Sequence, residues 1–379
     1  MDFSLAKEQA AVVASVRRFA ERELYPHAAA WDREETFPAE AIRRAAKLGL
    51  TGMLIPQAYG GSAVGPVAYC LAIQEIAKGC ASTAVTLSVT NMVAETVFKW
   101  GTEEQRRRLL PMLFAGEFPT GAFALTEPHA GSDASALSTR AERRDGRYVL
   151  NGSKIFITSG DVSSLLVVYA KTDRSQKARG ISAFVVERGT PGLVFGKHEE
   201  KMGLRASHTV QVAFEDCEVP EENRLADEGQ GFTIALSALD GGRIGIGSQA
   251  LGIGRAALAA SVRYAQEREQ FGTAIANLGP VQAMLADMAT ELDGAELLVL
   301  RAASLKAAGK PFSREAAMAK LFATEAANRA CVKAVQFFGG YGTTVDYPVE
   351  RHFRDCRVTT LYEGTSEIQR LVIARHVLG

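Results

Sequence analysis

Three short stretches of the chain combine residue types that could do chemistry. The first is Phe123-Ala124-Leu125-Thr126-Glu127-Pro128-His129-Ala130-Gly131-Ser132-Asp133, where a glycine stands among hydroxyl and carboxylate side chains. Such a loop offers free backbone N–H groups and side-chain donors, enough to cradle a polar ring edge or a phosphate. It would serve equally as a capped turn. The second, Phe156-Ile157-Thr158-Ser159-Gly160, runs from a strand pattern into a turn. Residues two apart share a strand face, so Phe156 and Thr158 could meet one ligand, or be a core aromatic beside a satisfied hydroxyl. The third, Leu361-Tyr362-Glu363-Gly364-Thr365-Ser366-Glu367-Ile368-Gln369-Arg370, sets a carboxylate before a glycine and then a helix-start pattern. Alone, it also fits a solvated Glu363 ahead of a capped helix.

Other chemistries have little footing. Gly245-Ile246-Gly247-Ser248-Gln249-Ala250 matches a dinucleotide-type G-x-G-x-x-A, but it lies inside a helical pattern with no preceding strand. No G-x-x-x-x-G-K-[ST] occurs. The six histidines form no H-E-x-x-H and no close pair, so no metal site is expected. The five cysteines (Cys70, Cys80, Cys217, Cys331, Cys356) are dispersed and contain no C-x-x-C, which reads as ordinary buried thiols.

The elements that must position these stretches change character along the chain. Helical periodicity marks Leu5 to Leu24, with Ser4 as a cap, then Ala39 to Leu48 ending at Gly49. Tyr59-Gly60-Gly61-Ser62 and Pro66 read as loop. Helical patterns resume over Val67 to Lys78, Thr83 to Trp100 and Glu103 to Leu113. From there the pattern turns to strands: Tyr148-Val149-Leu150, Ile155 to Thr158, Leu165 to Tyr169, Ile181 to Val186 and Thr209 to Phe214. Asp145-Gly146 and Asn151-Gly152 read as turns between them. Long helical patterns return over Phe232 to Tyr264, Pro280 to Ala308 and from Pro311 to Gly339-Gly340. This predicts an α+β chain of three domains. They are an N-terminal α-helical domain (1–119), a middle antiparallel β-barrel or sandwich (120–228) and a C-terminal domain of the four-helix-bundle type (229–379).

Of the 379 residues, 47% are hydrophobic and 23% charged, a globular profile with a large core. Lysine plus arginine equals aspartate plus glutamate at 43 each, so no global field favours nucleic acid or a membrane surface. No run reaches the ~18 apolar residues of a spanning helix. Met1 to Ala10 lacks the order of a signal peptide, so the chain reads as cytoplasmic or as a mature organellar form.

Together, in this order and spacing, the three stretches resemble the acyl-CoA dehydrogenase family, most closely its short-chain, butyryl-type members. The likeness covers nearly the whole chain and includes Gly241-Gly242-Arg243-Ile244, Glu267-Arg268-Glu269-Gln270-Phe271-Gly272 and Gln336-Phe337-Phe338-Gly339-Gly340. It implies an FAD enzyme that desaturates an acyl-CoA thioester between its α and β carbons. Phe123, Leu125, Thr126 and Ser132 would then line the flavin, with Phe156 and Thr158 against its ring. Arg268, Phe271, Gln336, Gly339 and Gly340 match positions that hold a neighbouring subunit's FAD, which implies a homo-oligomer, typically a tetramer. Thr365 and Glu367 match the adenosine side. Glu363 matches the catalytic base, while Ser132, Asp240, Arg243, Tyr362 and Gly364 match contacts to the acyl-CoA. Electron-transfer flavoprotein is the implied electron acceptor. A minority of the family carries the base just before this arginine, where this chain has Gly242. Two departures stand out: Phe156 where many members have tryptophan, and Gly279 where glutamine is common, with Gln282 as the nearest substitute.

Overall fold

The computed structural model of the chain describes residues 4–115 and 117–379. Helices α1 (Lys7–Phe19), α2 (Ala28–Glu34), α3 (Ala39–Lys47), α4 (Gly65–Gly79), α5 (Ala81–Trp100) and α6 (Glu103–Phe114) come first. The first begins later than the sequence suggests: Ala6 rather than Ser4 is the N-cap, and Gln9 accepts a hydrogen bond from the Ala6 N–H. It continues through a π-helical turn, Ala20–Leu24. Pro66, read as loop, lies in the first turn of α4, where its missing N–H has no helical partner to lose. Helices α4 and α5 are separated only by Cys80 and are buried on nearly every face. They form the centre of the molecule, as helices apolar all round must.

The β region contains β1 (Gly121–Ala124), β2 (Arg140–Arg144), β3 (Arg147–Thr158), β4 (Leu165–Lys171), β5 (Ile181–Glu187), β6 (Leu193–His198), β7 (Thr209–Pro220) and β8 (Arg224–Leu225). Its sheet runs β6-β7-β3-β2-β4-β5-β8, with β1 added to β4. The pairing is antiparallel except that β1 and β2 each pair parallel with β4, which corrects the purely antiparallel expectation. The whole β2–β3 excursion separates β1 from β4, long enough for the crossover a parallel pair requires. Tyr148 of β3 and Phe184 of β5 meet at 4.9 Å although their strands are not neighbours, so the sheet folds over a shared core. Strand β4 is buried on both faces. Leu166, Val168 and Ala170 enter the sheet's own core, and Leu165, Val167 and Tyr169 pack against the helices. A continuous apolar run is the pattern such a strand needs.

Asp145-Gly146 makes the β2–β3 turn, but Asn151-Gly152 does not make another. Strand β3 passes straight through it, opposite a bulge in β7, and Asn151 exchanges hydrogen bonds with Asp216 across the pair at 2.9 and 3.0 Å.

The C-terminal third holds α7 (Gly231–Glu267), the hairpin β9 (Glu269–Gln270) and β10 (Thr273–Ala274), then α8 (Gly279–Ala307), α9 (Ser313–Phe338), α10 (Val349–Val358) and α11 (Ser366–Leu378). The G-x-G-x-x-A stretch is buried mid-helix in α7. A Cβ on Gly245 would lie 2.5 Å from the Tyr69 hydroxyl and closer still to Ser88 Oγ, so this glycine serves close helix packing. Among the described residues no helix is long and apolar enough to cross a membrane.

Candidate active site

Glu363 lies in the short connection between α10 and α11, with φ +56°, followed by Gly364 at +87°. A left-handed conformation in a non-glycine residue is unfavourable, so neighbours must impose it. Gln369 does part of this, donating from Nε2 to the carbonyls of Glu363 (3.0 Å) and Gly364 (2.8 Å). Lys320 of α9, fully buried, donates its Nζ to the Gly364 carbonyl at 2.8 Å. The loop thereby aims the Glu363 side chain at α7. Its Oε2 is buried and has no hydrogen-bond partner. Burial pushes the carboxyl up to about 7, against the opposing pull of the Arg243 and Lys320 charges.

Space for that carboxylate comes from Gly242. A Cβ there would lie 2.8 Å from Glu363 Cδ, 2.8 Å from Met92 Sδ, and deeper still into Oε2. The side chain of residue 242 and the Glu363 carboxylate thus compete for one place. Gly242→Ala is therefore expected to displace the carboxylate and lower kcat at least ~10-fold with little change in thermal midpoint. Steady-state kinetics beside a melting curve would check it.

The carboxylate faces a cavity of about 430 Å³. Phe123, Leu125, Thr126 and Ser132 line one side of it, Phe156 and Thr158 another, and Arg243, Tyr362, Glu363 and Gly364 close it. Val85, Val89 and Met92 of α5 add an apolar wall that no motif announced. The strand-face reading of Phe156 and Thr158 needs amendment. A bulge at Ile155-Phe156 interrupts the β3–β7 register, and Phe156 takes φ +58° and is 61% exposed. Bulges re-aim side chains, and here both residues still reach the cavity.

A buried ion pair joins the two β walls. Lys154 Nζ of β3 lies 2.7 Å from Glu127 Oε1 and 3.1 Å from the Leu125 carbonyl. Ser138 and Thr139 give Glu127 two backbone and two hydroxyl donors. Burial alone would raise the Glu127 carboxyl, but Lys154 and these hydroxyls outweigh it and hold it at about 2. Arg243, also buried, donates to Asp240 Oδ1 at 2.7 Å, and Ser313 donates to the same oxygen at 2.9 Å. Asp240 itself opens not on this cavity but on an adjoining cleft of about 1120 Å³ edged by Lys99, Arg301, Lys306 and Lys310.

Comparison with known proteins decides what this arrangement is. Residues 6–117, 122–217 and 229–378 match in turn the N-terminal, middle and C-terminal domains of acyl-CoA dehydrogenases. The chain belongs to the acyl-CoA dehydrogenase family of FAD oxidoreductases. It is 49% identical, over 100% of this chain and 96% of its relative, to an acryloyl-CoA reductase (NADH) of Anaerotignum propionicum. It is 48% identical to the mitochondrial short-chain specific acyl-CoA dehydrogenase of Rattus norvegicus, over 96% of this chain and 88% of that one. The structure of butyryl-CoA dehydrogenase from Megasphaera elsdenii superposes with a TM-score of 0.98 at 44% identity, covering 100% of both chains.

Besides Asp240, seven of the residues in the family motifs lie away from the cavity within this chain. Thr365 caps α11, accepting from the Ile368 N–H at 3.3 Å, and Glu367 is exposed in that helix's first turn. Arg268 and Phe271 sit on the β9–β10 hairpin, whose turn residues Phe271 and Gly272 both have positive φ (+56° and +76°). Phe271 is 94% exposed. Gln336, Gly339 and Gly340 are exposed at the end of α9. Gln282, the nearest substitute for the glutamine missing at Gly279, is exposed and donates its amide to the Ala276 carbonyl at 3.0 Å.

Lys320, Gln369, Lys154 and Gln249 escaped the sequence reading. Gln249 accepts from the Tyr362 hydroxyl at 2.5 Å and donates to the Ala81 carbonyl at 3.0 Å, tying the Glu363 loop to α5. Removing the buried charge in Lys320→Met is expected to move the pH midpoint of any Glu363-dependent reaction upward, by about one unit. A rate–pH profile reads it, and an unchanged midpoint would assign Lys320 to loop geometry alone.

Proposed function

We propose that this protein interconverts a short-chain acyl-CoA thioester and its trans-2-enoyl-CoA, with Glu363 handling the α proton. The observation that carries this reading is the Glu363 Oε2: buried, unpartnered, raised in pKa, and directed into a cavity walled by Thr126, Phe156 and Thr158. A proton α to a thioester is weakly acidic, and its removal needs a desolvated carboxylate beside a polarised carbonyl. FAD, when bound, supplies a two-electron acceptor for the β hydride. The donors and aromatic walls contributed by Phe123, Leu125, Thr126, Ser132, Phe156 and Thr158 suit a flavin ring. Gln369 occupies the carbonyls of both Glu363 and Gly364, and Lys320 that of Gly364, which holds the loop in its left-handed conformation. The absence of a side chain at Gly364 lets the thioester approach that backbone.

Chain length follows from helix packing. Gly241, Gly242 and Gly245 press α7 so close to α4 and α5 that Glu95, Met92, Ser88 and Tyr69 fill the space beneath the cavity. This close packing of α7 on its neighbours supports short substrates over long ones. The basic cleft beyond Arg243 and Asp240 suits the phosphates of the CoA arm. Electron-transfer flavoprotein is the proposed electron acceptor. The reductive direction is a second reading, favoured by the 49% identity to a protein named acryloyl-CoA reductase (NADH).

Anaerobic addition of butyryl-CoA, then octanoyl-CoA, to the flavin-loaded protein tests the reading. Bleaching at 450 nm, faster with butyryl-CoA, supports it; a flavoprotein indifferent to both excludes it. NADH added with acryloyl-CoA separates the two directions.

The exposed FAD-motif residues support a homotetramer in which Arg268, Phe271, Gln336, Gly339 and Gly340 of one subunit complete the FAD site of another, with Thr365 and Glu367 toward the adenosine. A strained, fully exposed aromatic hairpin is what a subunit contact would bury. Phe271→Asp is expected to lower both the assembly state and the flavin-to-protein ratio, at least twofold for the latter. Light scattering and the 450/280 nm absorbance ratio would show it.

A further inference from the structure

Away from the Glu363 cavity, three chain segments converge at the end of β3. Asp161 lies in the single 3-10 turn Gly160–Val162, His198 closes β6, and His208 directly precedes β7. His198 Nε2 is 2.7 Å and His208 Nδ1 2.9 Å from the same oxygen, Asp161 Oδ2. The two imidazoles lie 3.8 Å apart between ring centres, and the three side chains' ligand atoms all fall within 4.8 Å of one another. The other carboxylate oxygen, Asp161 Oδ1, is buried with no hydrogen-bond partner. Both rings thus crowd one oxygen while a second acceptor is left unpaired, an arrangement that a hydrogen-bond network alone does not satisfy.

We propose that Asp161, His198 and His208 bind a divalent transition-metal ion, Zn²⁺ first among the candidates. With ligands about 2.0–2.1 Å from the ion, tetrahedral coordination puts neighbouring ligand atoms about 3.3–3.4 Å apart, so the two imidazoles, now 2.7 and 2.9 Å from Asp161 Oδ2, need spread by only about half an ångström to admit it. Two imidazoles and one carboxylate on one face select zinc, cobalt or nickel over calcium and magnesium, and leave the remaining positions to water. The ligands are already braced. The Ser159 N–H donates to the His208 carbonyl at 2.8 Å, Ser163 Oγ donates to the Ser159 carbonyl at 2.6 Å, and Arg188 donates to the Asp161 carbonyl. Phe37 packs on the His208 ring at 5.1 Å. The ion clips the β6–β7 hairpin onto the turn that follows Thr158, so it stiffens one wall of the catalytic cavity without entering it. Sequence spacing concealed the site because its ligands come from a turn, the end of β6 and the residue before β7, and no two are near neighbours in the chain.

The test uses the tag-free, FAD-loaded protein, stripped with EDTA and titrated with Zn²⁺ by calorimetry and with Co²⁺ by visible absorption. The result expected is one ion per chain, cobalt d–d bands, and a thermal midpoint raised by a few degrees in excess Zn²⁺ but not in Mg²⁺. All five cysteines are buried and cannot supply an alternative surface site. His198 is half exposed, so His198→Gln should fold and keep its flavin-to-protein ratio while losing Zn²⁺ affinity at least ~100-fold. His27→Ala, at an exposed histidine outside the cluster, should keep it. Equal Zn²⁺ affinity in wild type and His198→Gln, or a cobalt complex without d–d bands, would overturn the proposal.

Discussion

Glu363→Gln should give a folded, yellow protein that butyryl-CoA no longer bleaches, with the rate of flavin reduction down roughly 10³-fold or more, near the upper range for a positioned general base. Glutamine preserves the shape that fits over Gly242 and against Met92, so packing, flavin content and substrate binding should survive. Only the lone pair that takes the proton is lost. The same residue sets the pH profile. Burial raises the carboxyl to about 7 while Arg243 and Lys320 restrain it. Abstraction needs the ionised form, so the reduction rate of the wild type should climb with pH through about 7 and level off above it. In the opposite direction the protonated form is required and the limb reverses. Stopped-flow reduction across pH 5.5–9 reads both effects; a loss under ~10-fold in the glutamine variant would remove Glu363 from the chemistry.

The parts of this site that were legible in the sequence are those where chemistry and backbone demand the same unusual residue. Glu363-Gly364 shows because two successive left-handed residues need a glycine, and the 123–133 stretch shows because its donors crowd one short loop. Lys154, Lys320, Gln249 and Gln369 did not show. Lys320 and Gln249 are polar residues inside helical patterns, Lys154 follows the Asn151-Gly152 pair that reads as a turn, and Gln369 falls in what reads as a helix start. A solvated position is the ordinary expectation for each, and only the neighbouring elements turn it inward. Strand β2 was missed for a related reason: of Arg140–Arg144 only Ala141 is buried, so it carries no alternation to read. Asn151-Gly152 misled because turn propensity is local, while a long antiparallel partner, β7, decided otherwise. The exposed FAD-motif residues mark another limit. Arg268 and Phe271 are exposed on the hairpin, so burial within one chain does not account for them.

The buried Glu127–Lys154 ion pair gives the largest expected stability effect. Lys154→Met leaves Glu127 buried and charged with its principal counter-charge gone, and breaking such a pair from one side costs about 3–5 kcal/mol. The penalty belongs to the stranded carboxylate, not to lost packing, since methionine nearly fills the lysine's apolar length. The double variant Glu127→Gln/Lys154→Met should therefore be more stable than Lys154→Met alone, because the amide carries no charge, although its single carbonyl oxygen can accept from only one of the Ser138 and Thr139 N–H groups. The acid limb follows the same logic. With its folded pKa held at about 2 against an ordinary 4.5, Glu127 contributes stability above pH 4.5 that drains away as pH falls toward 2. Without Lys154 the carboxyl rises, so acid unfolding and flavin release should begin at a higher pH. Denaturant and acid titrations of the three proteins, followed by flavin fluorescence, measure both. If the double variant proves no more stable than Lys154→Met, the lysine acts through packing, and the bridge between the two β walls is not electrostatic.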